Sequence, residues 1–93
     1  MTPFCLPAVL THAQAVATAQ ALVAAVQAQP QLNIDASKLQ HFDSSALAVL
    51  LAGMREAHQQ GGQLQVQSLP ERARSLAQVY GLTELLQLPP ALA

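Results

Sequence analysis

Gly61 and Gly62 divide the most constraining stretch of this chain. On their amino-terminal side, Ser44 to about Gln60 is long enough for about four helical turns and carries an unbroken apolar run from Ala46 to Ala52. On their carboxyl side, Gln63-Leu64-Gln65-Val66-Gln67-Ser68 alternates strictly, with Leu64 and Val66 turned one way and the glutamines the other. The glycine pair supplies the left-handed stop of the helix and the turn out of it. Upstream, Gln31 to Ala36 alternates as well, with Leu32, Ile34 and Ala36 on one face, and Ser37 to Asp43 is the loop that leaves it. Two strands separated by a helix pair in parallel through a right-handed crossover, so the unit implies an α/β sheet.

The flanks extend the same alternation of elements. Phe4 to Leu10 is apolar but holds Pro7, which removes a ladder donor, so one short strand at a sheet edge is expected. Thr11-His12-Ala13-Gln14 has the form of a capping box and opens a helix from His12 to about Ala28, in which Val16, Leu22, Val23 and Val26 recur near helical spacing and Pro30 marks the end. Pro70 and Glu71 suit the first turn of a last helix, whose inner face is Ala73, Leu76, Ala77 and Tyr80, with Gly81 as its stop. Leu82 to Leu88 reads as a final turn and short strand, and Pro89-Pro90 ends ordered structure. The expectation is a single domain over residues 1–93: a small, mostly parallel sheet with helices packed against it, and Asp43 and Ser44 at the carboxyl end of the Leu32 to Ala36 strand.

Composition narrows the function. At 52% hydrophobic residues the chain is not a disordered one, and with only Phe4, Phe42 and Tyr80 as aromatics its core is built from Leu, Val and Ala. Charged residues make up 10%, about half the usual share of a soluble domain, which suits a subunit covered by a partner. The net charge of −1 and the scattered Lys38, Arg55, Arg72 and Arg74 form no phosphate-tracking stripe, so nucleic acid is not an expected partner. The apolar run falls far short of the ~20 residues of a bilayer span, so no direct membrane insertion is expected. MTPFCLPAVL lacks the positive start of a signal peptide, and one cysteine, Cys5, forms no internal disulfide; both fit a cytoplasmic protein.

Catalytic patterns are missing. No phosphate-cradling glycine loop precedes a helix, His12, His41 and His58 lack metal-ligand spacing, and no cofactor or metal is implied. Ser44, His41 and Asp43 contain the residue types of a nucleophilic triad, but neighbours in one tight loop rarely aim at one another as nucleophile, base and orienter. Cys5 has no basic neighbour to lower its pKa and reads as a bystander. No catalytic residue is therefore assigned.

The segment Asp43-Ser44-Ser45 carries more. Asp43 is a good N-cap, which would make Ser44 and Ser45 the first helical residues with hydroxyls free to point outward. On a helical wheel Leu47, Leu50, Leu51 and Met54 form the heavy stripe expected to face the sheet. Ala48, Val49 and Ala52 fall elsewhere, beside Ser45 and Glu56. A helix apolar nearly all round is buried on more than one side, although exposed alanines by themselves require no partner; the two readings stay open on this feature.

The stretch NIDASKLQHFDSSALAVLLAGMREAHQQGGQLQVQSLPERARSLAQVYGL resembles the STAS domain, the fold shared by bacterial anti-sigma factor antagonists and the tails of sulfate transporters. The resemblance runs from Leu32 to about Leu86. It implies that Ser44, directly after the loop aspartate, is the regulatory hydroxyl, which is phosphorylated in the antagonists. RSLAQVYGLTELLQL is most like the small cytoplasmic STAS subunits of Mla-type phospholipid ABC transporters. That branch implies a non-catalytic chain that binds and regulates or stabilises the transporter's ATPase subunit and, through it, meets the permease, peripheral to the inner membrane. The partner surface would comprise Ser44, Ser45, Ala48, Val49, Ala52 and Glu56, helped by Arg72 on the last helix. The alternative branch implies an anti-sigma factor antagonist switched by phosphorylation of Ser44, with an anti-sigma factor kinase as partner. Two departures stand out: Ala46 occupies a position where the family usually has glycine, and the amino terminus has room for one strand where the family often has a hairpin.

Overall fold

The computed structural model describes residues 3–84. In chain order these form β1 (Phe4–Cys5), β2 (Val9–Leu10), α1 (His12–Ala28), β3 (Gln31–Asp35), β4 (His41–Phe42), α2 (Ser45–Gln59), β5 (Gln63–Gln67) and α3 (Glu71–Val79). Strands β1, β3 and β5 lie side by side in that order, all parallel, and β2 pairs in parallel with β4 as a separate two-stranded piece. The α/β architecture with a mostly parallel sheet is thus the one the alternation of elements implies.

The amino-terminal strand differs from expectation. Instead of one edge strand, the segment is cut into β1 and β2. The Leu6 N–H still reaches the Asp35 carbonyl at 2.9 Å, and Pro7, with no donor, then ends pairing with β3. The chain resumes one step on, where the Ala8 carbonyl accepts from Gln40 and His41, and Val9–Leu10 runs beside His41–Phe42. Asp43 and Ser44 therefore follow β4, not β3 directly.

The long helices stop as the glycines require. At α2, Gly61 takes φ +75°, its N–H meeting the His58 carbonyl at 3.1 Å while Gly62 N–H meets Ala57 at 2.8 Å. At α3, Gly81 takes φ +70° and Gly81 and Leu82 repeat the pattern onto Gln78 and Ala77. Both are Schellman closures, which satisfy the orphan carbonyls of a last turn. Leu82 thus belongs to the α3 stop, and the expected strand beyond Glu84 lies outside the described residues. Gly62 has a second duty: a Cβ there would overlap the carbonyl of Pro30, which is also the acceptor for Gln63 N–H at 2.9 Å. Close approach of the two backbones sets the register in which Leu32 faces Leu64 and Ile34 faces Val66.

One face of the sheet carries Leu32, Ile34 and Leu64, all buried, under α1 and α2; Gln63, Gln65 and Gln67 turn to the other face and are exposed. Leu22 and Val26 of α1 are fully buried, whereas Val16 is 67% exposed and takes no part in the core. Ala73 and Ala77 bury the inner face of α3, but Tyr80 lies beyond the last helical residue and is 57% exposed, contrary to its place in the expected stripe.

The buried arc of α2 is rotated from the expected one. Ala46, Leu47, Val49, Leu50, Gly53 and Ala57 are buried, while Leu51 and Met54 are half-buried. Gly53 explains the rotation. A Cβ at Gly53 would come within 2.9 Å of Leu22 Cγ and 3.0 Å of Leu64 Cδ1, so α2 comes closest to both α1 and β5 along its small residues. Val49, one turn before Gly53, is carried into the contact and is only 2% exposed. Val49 is therefore core and not partner surface.

Candidate functional site

The site is built at the start of α2. Asp43 Oδ1 accepts the Ser45 N–H at 2.8 Å, and Oδ2 accepts the His12 N–H at 3.2 Å. One carboxylate thereby satisfies a backbone donor at the beginning of each of two helices, α1 and α2, which lie far apart in sequence. At α1 the capping box closes through Gln14, whose Oε1 accepts from the Thr11 N–H at 2.9 Å and the Thr11 hydroxyl at 2.7 Å. The Asp43 carboxyl is held below its ordinary pKa, chiefly by the Ser45 N–H, with the Ser45 side chain, the His12 N–H and the nearby His12 ring acting in the same direction against a smaller desolvation effect.

Ser44, not Asp43, occupies the cap position, and it does so with helical dihedrals, φ −62° and ψ −17°. The reason is a tight first turn: the Ala46 N–H meets the Asp43 carbonyl at 3.1 Å, so Asp43 acts from one residue further out. The helix proper starts at Ser45. Ser44 is exposed and its side chain makes no cap hydrogen bond, whereas Ser45 is half-buried. Ala46 is 1% exposed, so its methyl group is packed into the core.

From this end, Ala48, Ala52 and Glu56 descend α2 at intervals of four residues, exposed, half-buried and half-buried in turn. Glu56 Oε2 accepts from Gln60 Nε2 at 2.9 Å. Arg72 joins the Ser44 end from α3: its guanidinium carbon stands 4.8 Å from the centre of the Phe42 ring, two residues ahead of Ser44. Of the residues assigned to a partner surface, Ser44, Ala48 and Arg72 are exposed and Ser45, Ala52 and Glu56 are half-buried; Val49 alone is enclosed. Phe42 is the residue that sequence reasoning missed. Its signal was available, because an aromatic directly before a loop aspartate is conspicuous in a chain with so few aromatics.

On the opposite edge of the α2 arc, Leu51, Met54 and Ala57 join Leu64 of β5 in an open groove of about 510 Å³, rimmed by Arg55 and His58. Cys5 is exposed as a free thiol at the sheet edge. Among the described residues, no cluster of His, Cys, Asp or Glu is arranged to hold a metal ion, and no helix is long and apolar enough to cross a membrane.

A family model covers most of the chain, so the chain belongs to the STAS domain family, and the parallel sheet backed by helices is consistent with that fold. The family model that matches is the MlaB STAS domain, over residues 6–88. No curated protein matches the chain.

Proposed function

We propose that this chain is a non-catalytic STAS subunit that binds the ATPase subunit of an Mla-type phospholipid ABC transporter and regulates or stabilises it. The match to the MlaB STAS domain over residues 6–88 carries this reading. The form of the α2 surface supports it, because Ala48 and Ala52 leave room for a second helix to approach closely while Ser44 offers a hydroxyl at one end. The chain would sit in the cytoplasm, held at the inner membrane through the ATPase and permease, in a system that moves phospholipid between membranes and maintains outer-membrane lipid asymmetry. It would neither hydrolyse ATP nor carry lipid itself.

Affinity capture of the tagged chain from its native cells tests the reading. Recovery of an ABC ATPase with its permease is expected, and recovery of an anti-sigma factor kinase without an ATPase would refute it. Ala48→Glu places a charge on the exposed face of α2 and is expected to weaken ATPase binding by about tenfold or more, as for a central interface position, with an unchanged melting temperature.

The exposed Ser44 side chain, free of any capping bond, favours a second reading as an anti-sigma factor antagonist. Phosphorylation there would add about two negative charges beside a partner surface. Intact-mass measurement of the chain from cells in several growth states separates the two: a phosphate adduct that Ser44→Ala removes supports the switch.

A further inference from the structure

We propose that Arg72, held on the ring of Phe42, is the cation on which an acidic side chain of the ATPase subunit docks; this rests on the transporter reading and adds the chemistry of the contact. Arg72 is exposed, and among the described residues it has no ion-pair partner. Its neighbours explain why. Asp43, distant in sequence but next to Phe42, commits both carboxylate oxygens to backbone N–H groups of Ser45 and His12. Glu71, adjacent on α3, lies in the helix's first turn and makes no ion pair with Arg72.

The guanidinium nevertheless has a contact of its own. Its carbon stands over the Phe42 ring, 4.8 Å from the centre, within cation–π range. An arginine in that state has already given up part of its rotamer freedom, and its fork matches a carboxylate bidentately. Ser44, Ser45, Ala48 and Ala52 on the adjoining surface are small and uncharged, Glu56 at the far end of the stripe is bonded to Gln60, and the exposed charges nearby are Asp43, Glu71 and Arg55. A complementary partner surface is therefore close-packed and uncharged along α2, with a carboxylate at the Ser44 end. Phe42 acts as a positioning residue for Arg72.

Equilibrium binding of the purified chain to the purified ATPase subunit tests this, using Arg72→Gln, Arg72→Glu, Phe42→Leu and, as an independent probe of the α2 surface, Ala48→Glu. Arg72→Gln is expected to weaken binding by about tenfold and to flatten its salt dependence, and Arg72→Glu to weaken it further. Phe42→Leu keeps the charge but frees the side chain, so a smaller loss with the salt dependence retained is expected. Because Arg72 is exposed, melting temperatures of its variants should match that of the parent chain. A Lys substitution at one acidic position of the ATPase that restores binding to Arg72→Glu identifies the docked carboxylate. If both Arg72 variants bind like the parent while Ala48→Glu does not, the docking role is refuted and the transporter reading stands. If the parent chain does not bind the ATPase at all, both are overturned.

Discussion

Asp43 shows how much a single residue can tie together in a chain with few charges. Its carboxylate caps the entry to α2 and reaches back to the first N–H of α1, so it couples two helices whose starts are joined by no covalent shortcut. Because its folded pKa is depressed, the stability it contributes is present above its unfolded pKa and is lost as pH falls through the folded value. In urea titrations, the gap between the parent chain and Asp43→Asn should therefore narrow on acidification through the carboxylate range and close at its acid end. A gap independent of pH would mean that shape and not charge sets the role of Asp43. The glycine pair offers a sharper contrast at the same scale. Gly61→Ala meets open space at φ +75° and should cost about 1–2 kcal/mol, the left-handed penalty alone. Gly62→Ala drives a methyl into the Pro30 backbone, which no rotamer change relieves, and should cost more than its neighbour in a denaturation series.

Among the elements, α2 carries both core and surface, and its rotation decides which residues do which. Leu50 is fully buried and Leu51 half-buried, although the sequence offers them as equals. Leu50→Ala should cost about 2–5 kcal/mol, and Leu51→Ala, at the open groove, well under that range. The close contact beneath Gly53 gives a second test. Gly53→Ala gains helix propensity of about 1 kcal/mol yet should destabilise, because the new methyl displaces the Leu22 side chain. Combined with Leu22→Ala, its cost should shrink, and a double-mutant cycle would show the coupling as a departure from additivity. Simple additivity would mean that α1 and α2 adjust independently.

For the whole molecule, the low share of charged residues and the small-residue face of α2 belong to one argument: a surface with little charge to desolvate is inexpensive to cover. A partner that binds only the folded chain raises its apparent stability by mass action, about 2.7 kcal/mol at a free concentration of one hundred times Kd. Under the transporter reading, the melting temperature of this chain should rise with added ATPase subunit, and Ala48→Glu should make the rise clearly smaller at the same ATPase concentration. A melting temperature unmoved by saturating ATPase would count against that reading.

The sequence alone was enough for the order of the three helices with β3 and β5 and for the stops of the helices, but not for β4, which lies within the expected loop from Ser37 to Asp43. Alternation, apolar periodicity and glycine placement are local signals, and α1, β3, α2, β5 and α3 depend on little else. It was also enough to single out Asp43 and Ser44, because a capping carboxylate and an exposed hydroxyl at a helix start are properties of a few consecutive residues. Tertiary packing decided the rest. Whether Val49 or Leu51 is buried depends on where α1 and β5 lie, and that in turn depends on how closely α2 can approach them along Ala46, Gly53 and Ala57. The division of the first strand, the exposure of Tyr80 and the stacking of Arg72 on Phe42 have the same origin. Helical periodicity reports the size of side chains around a wheel, but close packing is set by the smallest of them, and their partners come from elsewhere in the chain.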